Sequence, residues 1–227
     1  MPRTRRTSVG GYCYHVINRG NRKSTVFHDA SDHLRFLTLM KRANERIPIR
    51  LLAWCLLPNH FHLVLWPRHD GDMSRWMQWL LTTHVRWHHL KYGTSGRIWQ
   101  GRFKSFPIQQ DEHLLTVMRY VERNPLRAGL VTSAEEWPWS SLYSQAEETD
   151  SQLLQDGPVE RWSRWLEYVN EPQTEAELKA VRNSVKREAP FGGEAWSLST
   201  TQRLGLTWTS RNPGRPPALE RKGECPH

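Results

Sequence analysis

Pro58-Asn59-His60-Phe61-His62-Leu63-Val64-Leu65-Trp66 is the stretch that decides the fold of this chain. It is short, apolar and bounded by a turn dipeptide, so it is predicted as a strand, and a strand sends alternate side chains to opposite faces. His60, His62, Val64 and Trp66 thus share one face, and Phe61, Leu63 and Leu65 the other. Two neutral imidazoles side by side on a pleated surface make half of a metal site. The pair alone also fits a strand with two half-exposed histidines, so the rest of the sequence has to decide.

Outward from this run, Arg50 to Leu57 forms a second strand, joined to it as an antiparallel hairpin by the tight Pro58-Asn59 turn. Tyr12 to Arg19 alternates as an earlier strand that Gly20-Asn21 ends. Asp29 to Ile47 has helical periodicity, with Ser31 or Asp32 as cap and Leu34, Leu37, Leu39, Met40 and Ala43 as its apolar side. Met73 to Leu90 is a second helix, and Arg97 to Ile108 a basic, aromatic stretch that continues into an edge strand. Asp111 caps a third helix, which Pro125 ends; Leu114, Val117, Met118 and Val121 form its buried stripe. Tyr120 and Asn124, four apart, lie together on another face, suited either to a nucleophile with an oxygen ligand or to plain packing and capping. Strand, helix, hairpin, helix, strand is the order of a ferredoxin-like α+β sandwich. In it the hairpin should supply central strands and the helices should lie on one side of the sheet.

Charge narrows the partner. The chain has 32 Lys and Arg against 23 Asp and Glu, unevenly spread: residues 1–130 hold 21 basic and 8 acidic side chains, and residues 131–180 hold 3 and 11. A field so concentrated suits a polyphosphate, above all nucleic acid. No apolar run approaches the ~20 residues of a membrane span, and the start lacks the apolar segment of a secretion signal. The expected location is therefore the cytoplasm, in association with the nucleoid. Cys13, Cys55 and Cys225, odd in number and far apart, argue against a disulfide framework or a thiolate zinc site. Three units are expected: a catalytic domain over 1–145, an acidic, Trp-rich helical extension over 146–188, and a basic Gly/Pro-rich tail over 189–227, extended with little secondary structure.

Three ordered motifs carry a family resemblance: Tyr14-His15-Val16-Ile17-Asn18-Arg19-Gly20-Asn21, the Pro58 to Val64 run, and Arg119-Tyr120-Val121-Glu122-Arg123-Asn124-Pro125 continuing through Leu126-Arg127-Ala128-Gly129-Leu130-Val131. Over about residues 10–145 the chain resembles the REP-associated tyrosine transposases, of the single-tyrosine HUH superfamily. A further echo lies in Arg187 to Gly192 and in Gly214-Arg215-Pro216. The resemblance implies that His60 and His62 bind a divalent metal, Mg²⁺ or Mn²⁺, that Tyr120 is the nucleophile, and that Asn124 stands where relatives place a polar third ligand, often glutamine. The implied chemistry is attack on a single-stranded DNA phosphate, with a 5′-phosphotyrosine intermediate and a free 3′-hydroxyl.

The implied partner is single-stranded or hairpin DNA, bound by monomer or homodimer. Arg97, Trp99, Arg102, Phe103 and Lys104 interleave charge with aromatic rings on which bases could stack, and Arg19, Asn21, Arg22 and Lys23 add a basic turn. Replication initiators and relaxases share this chemistry, but usually with a helicase domain, or with an amino-terminal tyrosine and a third histidine. An inactive DNA-binding regulator of the same fold is a further alternative, although all three key positions are filled. A metal phosphohydrolase would need carboxylate ligands, which are scarce in residues 50–130.

Overall fold

A computed structural model describes residues 7–147 and 153–210. Strands β1 (Cys13–Arg19), β2 (Ile49–Leu57), β3 (His60–Pro67) and β4 (Lys104–Ile108) make one antiparallel sheet in the order β2-β3-β1-β4. With α1 (Ala30–Arg46), α2 (Asp72–Tyr92) and α3 (Glu112–Glu122) between and after them, this is the expected ferredoxin-like α+β arrangement. The His-x-His strand is interior, paired with β2 through Cys55 opposite His62 and with β1 through Ile17 opposite His62. The hairpin supplies only one central strand, however, because β2 lies at the edge.

Helices also cover both faces of the sheet, not one. Phe61, Leu63 and Leu65 of β3 pack with Phe36, Leu39 and Met40 of α1 and Trp76 and Leu80 of α2. On the other face Val64 joins Leu114, Val117, Met118 and Val121 of α3. The reason is legible in β2, which is largely apolar in both side-chain rows, and in β3, whose histidine row also carries Val64 and Trp66. A sheet with two apolar faces must bury both.

Local signals set the ends. α1 is capped by Asp29, whose carboxylate accepts from the Asp32 backbone N–H at 3.0 Å while Asp32 reaches back, so the cap lies ahead of the expected Ser31 or Asp32. Leu34 is 56% exposed, and His33 and Phe36 occupy the buried side in its place. Behind α3 come α4 (Asn124–Arg127), α5 (Ser141–Ala146), α6 (Trp165–Asn170) and α7 (Glu175–Arg187). The segment from Ala189, expected to be extended, contains a further helix, α8 (Glu194–Arg203). Gly214-Arg215-Pro216 lies outside the described residues. Both sheet edges are covered by later chain: Leu154 bridges to Leu51 on β2, and Phe191 exchanges 2.9 Å backbone hydrogen bonds with Gln109 and Pro107 beside β4. No helix among the described residues is long and apolar enough to cross a membrane.

Candidate active site

β3 leaves its turn with His60 half-buried and His62 buried, on the face that α3 covers. Nδ1 of His60 donates to Asn59 Oδ1 at 2.6 Å, so the free lone pair is on Nε2. Nδ1 of His62 lies 2.8 Å from Nε2 of His15, a fully buried histidine on β1. With the shared hydrogen on His62, its Nε2 is free as well, and this is the tautomer a metal ligand needs. Burial holds all three rings neutral near pH 7. It lowers His15 to about 3, lowers His60 to about 4 with help from the charges of Arg19 and Arg127, and takes His62 well below the ordinary histidine value.

α3 brings Tyr120 to the same place. Its ring centroid is 5.8 Å from that of His62 and 6.4 Å from that of His15, and its hydroxyl makes no hydrogen bond among the described residues. The guanidinium of Arg127, on α4, lies 4.2 Å over the tyrosine ring and donates from Nη2 to Asn124 Oδ1 at 2.6 Å. Asn124 is buried beside them, and its Nδ2 has no hydrogen-bond partner among the described residues. One lone pair of its amide oxygen is therefore committed to Arg127, and the second is what it can offer a metal. Two imidazole nitrogens and one amide oxygen fit a divalent cation that accepts mixed N and O donors.

His60, His62, Tyr120 and Asn124 line one cavity of about 740 Å³. Arg19, Arg102, Lys104, Arg127 and Arg182 line it with them, and no carboxylate among the described residues does. Asp111, Glu112 and His113 also bring ligand atoms within 4.8 Å of one another, but Asp111 is the cap of α3 and already accepts from the His113 ring at 2.7 Å.

α3 is held firmly. Glu122, fully buried, accepts from Ser141 Oγ at 2.6 Å and Trp165 Nε1 at 2.7 Å. Arg119 donates to the Glu171 carbonyl at 2.7 Å and stacks over Tyr168, and Arg123 donates to the carbonyls of Val169 and Asn170. The acidic, Trp-rich extension thus fixes the helix that carries the tyrosine.

The predicted DNA-binding residues divide. Arg19, Arg102 and Lys104 reach the cavity, and Arg97 is exposed beyond it. Asn21 is half-buried, and Arg22 and Lys23 project from a turn in which both have positive φ, 54° and 62°. That costly conformation is pinned by Gly20 N–H to Asn59 O at 2.7 Å, Asn21 N–H to Ile98 O at 2.7 Å and Asn59 Nδ2 to Lys23 O at 3.1 Å. A Cβ on Gly20 would strike the Ser24 carbonyl, so the corner requires glycine. The turn is thereby tied to the residue that orients His60.

Trp99 and Phe103 go elsewhere. They are only 6% and 5% exposed and belong to the core under α1 and α2, with Trp99 edge-on to Phe61 at 5.2 Å. Rings so placed cannot serve as stacking platforms, and apolar packing explains them. Trp99→Ala should therefore cost about 3–5 kcal/mol of stability, read as a lower urea midpoint at unchanged slope. Wild-type stability with lost DNA affinity would restore the stacking role. Sequence reasoning gave no role to three residues: His15 and Arg127, each inside a quoted motif, and Arg182, whose signal was a cation beside the Leu178, Val181, Val185 stripe.

A tyrosine with an unengaged hydroxyl beside paired neutral imidazoles, in a cavity of cations, suits enzymes that break nucleic-acid strands by passing a phosphoryl group to tyrosine. The chain belongs to the IS200-like transposase family, whose profile matches residues 8–124, and it is a tyrosine transposase. It is 27% identical over 137 residues to the REP-associated tyrosine transposase of Escherichia coli K12, covering 59% of this chain and 78% of that protein. A Haemophilus influenzae protein that carries the same name provisionally is 29% identical over 149 residues, covering 60% and 82%. The fold is similar to that of a REP-associated tyrosine transposase solved bound to a REP hairpin, with TM-score 0.55 and 21% identity over 72% of this chain and 96% of that one.

Proposed function

We propose that this chain cleaves and rejoins single-stranded DNA at the foot of a REP-type hairpin, with Tyr120 as nucleophile. The observation that carries the reading is the unengaged Tyr120 hydroxyl in the cavity shared with His60 and His62. The phenolic oxygen attacks a backbone phosphorus, a P–O(Tyr) bond forms and the P–O3′ bond breaks. The phenolic proton leaves to solvent and the departing 3′-oxygen gains one, giving a 5′-phosphotyrosine and a 3′-hydroxyl. A second 3′-hydroxyl reverses the step on a new partner, which is strand transfer.

Arg127, stacked on the tyrosine ring and held by Asn124, is placed to offset negative charge on the phenolate and the phosphate. Arg19, Arg102 and Lys104 hold the adjoining strand. His60 and His62, with the remaining lone pair of Asn124, would hold a divalent metal, which supplies polarisation of a phosphoryl oxygen when bound. Imidazole donors favour Mn²⁺ over Mg²⁺, although magnesium's abundance can make it the working ion. In this reading residues 1–145 are the catalytic unit, 146–188 lend Arg182 and the anchor of α3, and the chain from 189 covers the β4 edge through Phe191.

The test incubates the protein and Mn²⁺ with a hairpin labelled at either end. A 3′ label should become covalently attached to protein and a 5′ label should appear on a shortened strand ending in a 3′-hydroxyl. Protein attached to the 5′-labelled piece instead would reverse the assigned polarity, and no attachment to either would end the proposal.

A further inference from the structure

Three cavities on this molecule run into one another. The catalytic cavity shares Gly101 and Arg102 with a second, of about 550 Å³, and that one shares Thr82 and Arg86 with a third, of about 660 Å³, between α1 and α2. Their cations follow in order: Arg102, Arg97, Arg86, Arg75 and Arg46. Among the described residues, no Asp or Glu lines any of the three. Arg86, Arg97 and Arg102 have no ion-pair partner among the described residues, whereas Arg75 meets Asp72 at 2.6 Å but remains 64% exposed, and Arg46 lies over Trp79. A further cavity, around Arg50 and Trp66, shares no residue with this path.

The outer part of the path is one face of a helix. Arg75, Gln78, Thr82 and Arg86 are all exposed and recur at helical spacing along α2. Eleven residues separate Arg75 from Arg86, which is about 16 Å of helix. That length matches about five successive phosphates of one strand of a duplex, spaced ~3.4 Å along the axis.

We infer that this α2 face is a binding track for the sugar-phosphate backbone of a DNA duplex, the stem of the hairpin whose single-stranded foot enters the catalytic cavity. The inference rests on the function proposed above. The track offers guanidinium, hydroxyl and amide groups, which contact phosphates irrespective of sequence. It offers no open aromatic face: Trp99 is buried and Trp79 is covered by Arg46. Unpaired bases need such faces, and a paired stem does not.

The experiment measures equilibrium affinity over a range of salt concentrations, by fluorescence anisotropy, for two probes. One is a hairpin of about ten base pairs with a single-stranded foot, and the other is the foot alone; ten pairs are enough to outrun the ~16 Å track. Arg75→Ala and Arg86→Ala should each flatten the log-affinity against log-salt slope for the hairpin by about 0.9. Affinity for the foot alone should stay at the wild-type value. Arg86→Glu, a reversal of charge on an exposed side chain, should weaken hairpin binding further. Unchanged hairpin slopes in all three variants would overturn the track. Equal weakening for both probes would overturn it too, since α2 would then hold the single strand. Phosphate contacts are independent of sequence, so the result does not depend on which foot the enzyme cleaves. Failure here with adduct formation intact leaves the catalytic proposal standing.

Discussion

Tyr120→Phe is expected to abolish the covalent protein–DNA adduct and strand cleavage, by at least about four orders of magnitude, as loss of a nucleophile does elsewhere. It should leave stability and DNA affinity nearly as they were. The hydroxyl engages nothing among the described residues, so removing it orphans no buried partner. The ring keeps its contact with Arg127, 4.2 Å away, because phenylalanine presents the same face. Adduct formation and urea melts on the same preparation separate the two effects. Cleavage by the Phe variant at the wild-type rate would remove Tyr120 from the mechanism.

His62→Ala and His60→Ala are expected to abolish measurable Mn²⁺ binding, a larger loss than the ~10–100-fold that follows removal of an outer hydrogen-bond partner. The two should differ in stability. His62 is 2% exposed and hydrogen-bonded to His15, so its removal leaves a void and an unpaired ring nitrogen, costing about 2–4 kcal/mol. His60 is half-buried at the strand's start, and its removal should cost well under that. Calorimetric titration with Mn²⁺ decides the first point and chemical denaturation the second. A wild-type isotherm in both variants would show that the histidines are structural.

Most of the fold was legible because the decisive signals are periodic. The alternation through His60 to Trp66 put both imidazoles on one face, and the Leu114, Val117, Met118, Val121 stripe put Tyr120 beside it. What the sequence could not convey was which layer covered which row. β3 carries apolar side chains on both sides, Val64 and Trp66 beside the histidines and Phe61, Leu63 and Leu65 opposite, and its pattern does not reveal that one row meets α1 and α2 while the other meets α3. Trp99 and Phe103 went astray for a related reason: aromatic residues between cations look the same whether they face DNA or the interior. Arg182 was out of reach, because it lies 62 residues along the chain from Tyr120 and only tertiary packing brings it to the cavity.

Under the proposed mechanism, the fastening of α3 bears on the order of events in a complete reaction. Within the chain, Glu122, Arg119 and Arg123 bind the tyrosine helix to Ser141, Trp165 and the carbonyls of Val169, Asn170 and Glu171. With Tyr120 as the proposed nucleophile, each chain offers one attachment point and carries one DNA end at a time. On that proposal, joining two ends obliges a lone chain to work sequentially: it would keep the first 5′ end on Tyr120 until an incoming 3′-hydroxyl displaces it, and only then be free to open a second strand. Simultaneous cuts at two ends would instead consume two chains, so the number of ends captured at once is a count of protein molecules.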